Sequence, residues 1–144
     1  MKDLRVLTSP EQVNYNMRFE GSEEPLAPVV CVDNLDGFKQ GAVRAIRMAG
    51  YVNDEAVSVS LDTGLSTFYS RSKERLWTKG EESGNVLKIR GAYTDCDADC
   101  VIFDVEPNGP TCHTGADTCF LLDGDGAAEL EIEKDEFDPL VMKG

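Results

Sequence analysis

The chain of 144 residues has 27 acidic and 14 basic side chains, and this net charge of −13 argues against nucleic acid or an anionic membrane as a partner. Hydrophobic residues make up 41% of the sequence and no apolar run is as long as a membrane span, so we expect one soluble globular domain. The first residues resemble neither a secretory signal nor a transit peptide, and the number of cysteines is odd, so we expect a cytoplasmic protein with reduced thiols.

Residues 1–28 are predicted to form an N-terminal helix and an acidic linker. Ser9 is a suitable N-cap, Pro10 stands at the first helical position, and Gln12 completes a capping box. This pattern predicts a helix over residues 4–19. The rest of the region is acidic and contains proline, which is typical of a linker.

The segments that follow predict mainly strands. Short β-branched and aromatic runs between turn signals predict strands over residues 29–32, 42–51, 66–70, 86–93 and 100–105. Asn53 and Gly64 predict the two ends of a helix over residues 53–61. Cys31 and Cys100 lie in apolar strands, where we expect them to be core residues. We therefore expect an α+β fold, mostly β, as a compact mixed-sheet or barrel-like single domain with one or two short helices.

Residues 71–80, RSKERLWTKG, form a basic segment in this acidic chain, with four cations and one anion, Glu74. One interpretation is a solvated surface turn that covers Trp77. The other is a phosphate-binding loop, because charged and hydroxyl donors suit a phosphate group. These donors are Ser70, Arg71, Ser72 and Lys73.

The segment 95–120, DCDADCVIFDVEPNGPTCHTGADTCF, contains four of the five cysteines and the single histidine. In an extended chain side chains alternate between two faces, so three carboxylates share one face and Cys96 takes the other. Carboxylates suit Mg²⁺, whereas a thiolate suits Zn²⁺. The carboxylates are those of Asp95, Asp97 and Asp99.

A Pro/Gly turn at residues 107–110 would fold Cys112 back towards Cys96, and His113 follows directly. We interpret the whole segment as a two-metal catalytic segment. The alternatives are a solvated acidic loop and cysteines that only fill the core. A third possibility, a nucleoside deaminase, lacks its H-x-E and P-C-x-x-C signatures here.

Three stretches closely resemble phosphoribosyl-AMP cyclohydrolase, the enzyme family of the third step of histidine biosynthesis. They are YVNDEAV at 51–57, DTGLSTFYSRSKERLWTKGEESGN at 62–85 and the cysteine-containing segment at 95–120. The resemblance covers roughly residues 29–120. Its motifs SRS-x4-LW-x-KGE and DCD-x-D…CHTG-x3-CF are far more specific than an isolated pair of cysteines.

The resemblance implies two metal sites and a particular assembly. Mg²⁺ would be bound by Asp95, Asp97 and Asp99, and Zn²⁺ by Cys96, Cys112 and Cys119. The family implies an intertwined homodimer in which each zinc ion is shared between the chains. It divides this chain into residues 1–28, a cyclohydrolase domain at 29–120 and an acidic C-terminal extension at 121–144.

The implied reaction is hydrolysis of 1-(5-phosphoribosyl)-AMP, in which zinc-activated water adds to adenine C6 and the N1–C6 bond breaks. His113 is the expected general acid or base. The nucleotide substrate would be bound by Ser70, Arg71, Ser72, Lys73, Trp77 and Lys79. The family often has SGH where this chain has SGN at 83–85, so Asn85 replaces an imidazole. The rival hypothesis is a non-enzymatic, zinc-stabilised interaction domain.

Overall fold

The described part of the chain is mostly sheet with one α-helix, which confirms the predicted α+β class. The computed structural model describes residues 5–33, 46–109 and 111. The elements in chain order are β1 (Arg5–Val6), a 3₁₀ helix (Pro10–Gln12), β2 (Ala27–Asp33), β3 (Ile46–Val52), α1 (Asp54–Thr63), β4 (Thr67–Ser70), β5 (Arg75–Thr78), β6 (Leu87–Thr94) and β7 (Val101–Pro107).

Five strands form one mixed sheet in the order β1-β6-β7-β2-β3, and β4 and β5 form a separate two-stranded hairpin. The β2–β7 pair is parallel and the other pairs are antiparallel. The mixed sheet is therefore confirmed. Within the described residues β1 and β3 are edge strands, so the sheet is open and is not a closed barrel.

The core lies on one face of the large sheet, under α1 and β4. Alternate residues of β2 and β7 are buried there, as the period of two in a strand requires. Cys31 is fully buried in this core, as predicted. Ala56 and Val57 of α1 and Phe68 of β4 pack in the same cluster. The basic segment is thus attached to the core through β4.

Helix α1 begins and ends where its capping residues predict. The Asn53 side chain accepts a hydrogen bond of 2.7 Å from the backbone N–H of Ala56. At the other end Gly64 has φ 75°, and its N–H donates to the Ser60 carbonyl at 2.9 Å. The helix continues to Thr63, two residues beyond the predicted end.

The predicted helix over residues 4–19 is wrong. The capping box at Ser9 and Gln12 is present, but it starts only a single 3₁₀ turn, and Val13 is already extended with φ −98° and ψ 137°. Leu7 N–H donates to the Ala92 carbonyl at 2.8 Å, so the chain before the turn follows the edge of the sheet. Because Leu7 and Val13 are both buried, tertiary packing overrides the local helix signal.

Other boundaries differ in smaller ways. The linker reaches the core earlier than expected, since Leu26 is fully buried and pairs with Met17. Strand β5 lies inside the basic segment, where no strand was predicted. The start of the predicted strand 42–51 and the C-terminal extension 121–144 lie outside the described residues. Within the part of the chain that is described, no helix is long and apolar enough to span a bilayer.

Candidate metal centre and phosphate-binding cavity

The loop between β6 and β7, residues 95–100, is named here the acidic hairpin. One carboxylate oxygen from each of three residues lies within 4.8 Å of the others: Asp95, Asp97 and Asp99. The carboxylates therefore lie together as expected, but the predicted reason was wrong. The segment is a turn and not an extended strand, so the turn brings the side chains together.

Asp95 holds this turn with its own side chain. Its Oδ1 accepts hydrogen bonds from the N–H of Asp99 at 3.1 Å and of Cys100 at 3.3 Å. Ala98 has φ 60°, in the left-handed region that a residue with a Cβ rarely adopts, and its N–H donates to the Asp95 carbonyl. The Asp95 carboxylate is thus both part of the scaffold and a candidate metal ligand.

Asn14 braces the acidic hairpin from the N-terminal segment. Its backbone N–H donates to the Ala98 carbonyl at 2.7 Å, and its side-chain Nδ2 donates to the Asp97 carbonyl at 2.8 Å. Sequence reasoning missed Asn14. The two partners are 83 residues apart in the chain, so no local pattern points to the contact.

The crowding of like charges disfavours three ionised carboxylates. The pKa of Asp99 is raised, first by partial desolvation and then by the hydrogen bonds and negative charges of Asp95 and Asp97. The Cys100 pKa is raised by burial and by the same carboxylates. A divalent cation would relieve this repulsion. Three oxygen donors within 4.8 Å of one another fit the hard ligands that Mg²⁺ prefers.

Cys96 is an exposed thiol on the same hairpin. Its Sγ donates to Asp97 Oδ1 at 3.7 Å, so the prediction that Cys96 faces away from all the aspartates is wrong for Asp97. The cause is again the turn, which ends the alternation of faces. The other expected zinc ligands, Cys112 and Cys119, and the expected catalytic His113 lie outside the described residues.

The loop between β4 and β5, residues 71–74, is named here the basic hairpin. Ser70 Oγ accepts a hydrogen bond of 3.3 Å from the N–H of Lys73 and lies 3.5 Å from Ser72 Oγ. Glu74 has φ 52°. The serines therefore take part in shaping the turn that presents Arg71 and Lys73.

A cavity of about 420 Å³ opens beside this hairpin, between β3 and β4. Four of the six predicted substrate-binding residues line it: Ser70, Arg71, Lys73 and Trp77. Ser72 and Lys79 are not among the residues that line it. Phe68 and Trp77 form an aromatic wall, with ring centroids 5.6 Å apart. The cavity thus combines apolar faces with two cations.

The basic segment is less basic than its composition indicates. Arg75 donates to Glu81 Oε1 at 2.8 Å, and this hydrogen bond is the main reason that the pKa of Glu81 is lowered. Glu81 also accepts from the N–H of Thr78. Arg75 is therefore paired with the turn that follows β5, and Arg71 and Lys73 are the cations that line the cavity.

The acidic hairpin and the cavity lie at the same end of the large sheet. Residue pairing runs from Thr94 to Val101, from Val101 to Val29 and from Val29 to Gly50. Thr94 precedes the acidic hairpin, and Gly50 lines the cavity. At roughly 4.8 Å per strand spacing, three spacings place these two positions about 14 Å apart across the sheet.

The sequence itself is similar to one family across both hairpins. The model of the family described as phosphoribosyl-AMP cyclohydrolase matches residues 48–121, which is 74 of the 144 residues. The chain belongs to the phosphoribosyl-AMP cyclohydrolase family. The match begins within β3, includes β4 to β7 and extends through the cysteine segment, whereas Asn14 lies outside it.

Curated relatives agree with this family. The chain is 48% identical over 104 residues to the "Histidine biosynthesis bifunctional protein HisIE" of Photobacterium profundum, covering 72% of this chain and 47% of the relative. The protein of the same name from Staphylococcus aureus strain COL is 43% identical over 107 residues, which cover 74% of this chain and 46% of the relative. That of Vibrio cholerae is 52% identical over 87 residues, which cover 60% of this chain and 40% of the relative. The chain spans about half the length of the curated relatives it matches.

Asn85 lies in the loop between β5 and β6, beside the turn that follows β7. The Asn85 side chain packs against Gly109, whose φ of 101° and lack of a Cβ permit the close approach. Asn108 bonds the same loop, with its N–H donating to the Val86 carbonyl at 2.9 Å. Asn85 therefore contacts the turn that leads into the segment with Cys112.

Proposed function

We propose that this chain hydrolyses 1-(5-phosphoribosyl)-AMP as a phosphoribosyl-AMP cyclohydrolase, in the third step of histidine biosynthesis. The observation that carries the proposal is the family match over residues 48–121, which includes both the acidic hairpin and the basic hairpin. The clustered carboxylates and the cavity with its two cations support it. The substrate carries two phosphate groups, each with a charge of about −2, and both a bound metal ion and the cations could neutralise this charge.

The reaction is the addition of one water molecule to a cyclic amidine. The water oxygen bonds to adenine C6, the C6–N1 bond breaks, and N1 takes a proton. C6 keeps its exocyclic nitrogen and becomes a carboxamide, so the ring opens and the atoms of water are all retained in the product. Water is a weak nucleophile at neutral pH, so the site needs to acidify it and to protonate the leaving nitrogen.

Asp95, Asp97 and Asp99 are the residues that would hold Mg²⁺. When bound, Mg²⁺ supplies positive charge that offsets the phosphate and orients polar groups of the substrate. Within the chain itself, Asp95 keeps the turn closed and Asn14 fixes the position of the Asp97 backbone. These bonds fix the backbone that carries the three carboxylates before a cation binds.

Cys96, Cys112 and Cys119 are the residues that would hold Zn²⁺. If these three thiolates held zinc, the ion would supply Lewis acidity for activation of a water molecule. Three thiolates make zinc less acidic than three imidazoles would, so an additional base is needed. His113 is suited to move the proton between the water and N1, because histidine is the side chain that most readily gains and loses a proton near neutral pH.

The substrate is proposed to bind along the basic hairpin. Arg71 and Lys73 face a phosphate group, Ser70 and Ser72 add hydroxyl donors, and Trp77 offers an aromatic surface at the cavity. Lys79 is proposed to add charge from the other end of β5. Because the net charge of the chain is −13, attraction of an anionic substrate depends on this local group of cations.

The active assembly is proposed to be an intertwined homodimer in which Cys96 of one chain and Cys112 with Cys119 of the other bind each zinc ion. The exposure of Cys96 supports this arrangement, since its thiol is accessible to ligands from a second chain. We propose a cytoplasmic location, in which the thiolates stay reduced and available to zinc.

The direct test is ultraviolet absorbance of purified protein with phosphoribosyl-AMP, Zn²⁺ and Mg²⁺, because ring opening changes the purine chromophore. We expect turnover that is lost when a chelator removes the metals and restored when they are returned. His113→Ala should retain zinc and lose about 10²–10⁴-fold in kcat. Zinc content without any turnover in the wild-type protein would instead favour a structural, non-enzymatic zinc domain.

A further inference from the structure

The guanidinium group of Arg71 rests on two aromatic rings. Its Cζ lies 4.0 Å from the centroid of Phe19 and 5.0 Å from that of Tyr51. The two rings meet edge to face, with centroids 5.1 Å apart and an interplanar angle of 77°. Phe19 and Tyr51 are both half-buried, whereas Arg71 is exposed. The rings therefore form a fixed support beneath a solvent-facing cation.

Three other arginines among the described residues are paired with carboxylates. Arg47 contacts Asp33 at 2.7 Å, Arg75 contacts Glu81 at 2.8 Å, and Arg90 contacts Asp104 at 3.2 Å. Arg71 differs from these three. Over the ranges 5–33 and 46–109, it forms neither an ion pair nor a hydrogen bond, although its side chain lines the cavity.

The aromatic support leaves the donors of Arg71 available. A ring face attracts the cation through its π-electrons and takes none of the N–H groups that a carboxylate would occupy. The planar guanidinium group then retains the pair of parallel donors that a phosphate group accepts. Two rings also restrict a long side chain that would otherwise sample many rotamers. An arginine held in this manner is ready to bind an anion.

We propose that Phe19 and Tyr51 are positioning residues that hold Arg71 at the cavity for contact with a phosphate group of the substrate. This inference rests on the proposed function and adds a residue to it, since Phe19 lies outside the family match at 48–121. The N-terminal segment thereby completes the substrate site. Neither ring contacts the substrate in this proposal; both act through Arg71.

The kinetic test compares Phe19→Leu, which removes the π-face, with Phe19→Tyr, which keeps it. We expect Phe19→Leu to raise KM for phosphoribosyl-AMP about two- to fivefold with kcat nearly unchanged, and Phe19→Tyr to restore the wild-type KM. Arg71→Ala should raise KM further. In the Arg71→Ala background Phe19→Leu should add nothing, because the ring then has no cation to hold.

The matched control is Arg18→Ala. Arg18 is adjacent to Phe19 and exposed, and its guanidinium donates to the Tyr15 carbonyl at 3.1 Å and does not line the cavity. Arg18→Ala changes the net charge by the same amount as Arg71→Ala, and we expect its KM to match the wild type. An equal increase for both arginine variants would show that only net charge matters and would overturn the proposal.

A binding measurement separates this inference from the proposed function. Trp77 is the single tryptophan and lines the cavity, so its fluorescence reports titration with AMP, a 5′-monophosphate that needs no turnover. If the wild type shows no cyclohydrolase activity, the proposed function fails, and AMP affinity alone then tests the roles of Arg71 and Phe19. We expect weaker AMP binding in Phe19→Leu and none of that loss in Phe19→Tyr.

Two results would overturn the positioning role. One is a Phe19→Leu protein that is folded by circular dichroism and has wild-type KM and AMP affinity. The other is that Phe19→Leu weakens AMP binding and raises KM by the same factor in the presence and absence of Arg71. This result would indicate a general structural effect. If Phe19→Leu does not fold, Tyr51→Leu takes its place in the same comparison.

Discussion

The acidic hairpin and the basic hairpin are built on the same plan but are stabilised in different ways. Each joins two antiparallel strands, and each contains a non-glycine residue with positive φ, Ala98 at 60° and Glu74 at 52°. In the acidic hairpin a candidate ligand, Asp95, closes the turn. In the basic hairpin Ser70 shapes the turn. Arg71, the candidate phosphate-binding residue, is supported by the rings of Phe19 and Tyr51, which lie outside the hairpin.

The difference follows from the lengths of the side chains. An aspartate is short, so three of them converge only if the backbone itself turns, and bonds within the hairpin achieve this. An arginine is long and loses up to about 2 kcal/mol of rotamer entropy when it is fixed, so it needs support along its length. Both kinds of support include the N-terminal segment, through Asn14 and Phe19.

A large loss of activity is expected from Asp99→Asn in the acidic hairpin. Asp95 closes the turn and Asp97 contacts Cys96, so Asp99 is the carboxylate whose loss tests Mg²⁺ binding alone. We expect activity to fall at least about 100-fold. Mutation of a residue that only hydrogen-bonds a metal ligand already lowers metal affinity or activity by up to roughly 100-fold, and loss of a ligand itself should do more. Metal analysis should find zinc retained and magnesium lost.

The control for that variant is Asp62→Asn, an exposed acid on α1 that makes the same change in charge. Its activity should equal that of the wild type. If Asp99→Asn lost both metals, zinc binding would depend on the magnesium ligands. That result would contradict the proposal that the two metal sites are independent.

The second prediction concerns Cys96 of the acidic hairpin and the proposed sharing of zinc. Cys96→Ala and Cys112→Ala should each be inactive, because each variant damages both sites of a symmetric dimer. Refolded together in equal amounts with Zn²⁺, half of the dimers are mixed and have one intact site of two. Activity should then recover to about a quarter of the wild-type value.

Refolding of the wild-type protein under the same conditions is the control. If the mixture stays inactive while the wild type recovers, each zinc site must lie within one chain. The acidic hairpin would then meet the cysteine segment of its own chain.

A smaller effect is expected when the acidic hairpin loses its external brace. Asn14→Ala removes the side-chain bond to the Asp97 carbonyl, and a bond of this kind contributes about 0.5–1.5 kcal/mol. Mg²⁺ affinity measured by titration calorimetry should therefore fall about two- to twelvefold. AMP binding at the basic hairpin should not change. Asn16→Ala, two residues along in an exposed position, is the matched control.

The strain at Glu74 predicts a modest gain in stability. Glycine adopts positive φ without the steric cost that a Cβ introduces, so Glu74→Gly should be more stable than Glu74→Ala by about 0.5–1 kcal/mol. Both variants remove the same charge, so their difference isolates the backbone. Urea unfolding followed by Trp77 fluorescence measures it. Equal free energies of unfolding would mean that the left-handed conformation at Glu74 costs nothing.

The smallest effect is expected from the Glu81–Arg75 ion pair, which joins the start of β5 to the turn that follows it. The Glu81 pKa is lowered from its ordinary 4.5, chiefly by the bond to Arg75, so the charged carboxylate stabilises the folded state above that value. This contribution is lost as the pH falls through the lowered folded pKa. Glu81→Gln should thus be slightly less stable at pH 7 and equal to the wild type under strongly acidic conditions. Glu82→Gln, on the adjacent exposed residue, should show no such difference.

Features that depend on neighbouring residues in the chain were predictable from sequence. The ends of α1 follow from Asn53 and Gly64, whose capping geometry is local. The burial of Cys31 follows from its apolar strand. The grouping of three aspartates follows from their spacing, although the sequence suggested an extended segment and the structure has a turn.

Features that depend on distant partners were decided only by the tertiary structure. Ser9 carries a complete capping box, yet no α-helix follows, because Leu7 bonds the edge of β6 and the apolar side chains nearby are buried in the core. The basic segment contains a strand because β4 offers it a partner.

The contacts by which Asn14 and Phe19 support the two hairpins also depend on distant partners. Asn14 and Phe19 lie in a segment that sequence alone assigned to a helix, and their partners are residues 97 and 71. A single chain records which side chains offer donors, carboxylates or rings, since these are properties of residue type. Residue type does not determine which of these side chains come into contact. Contacts between distant residues form only when the sheet packs on its hydrophobic core and fixes the path of the N-terminal segment.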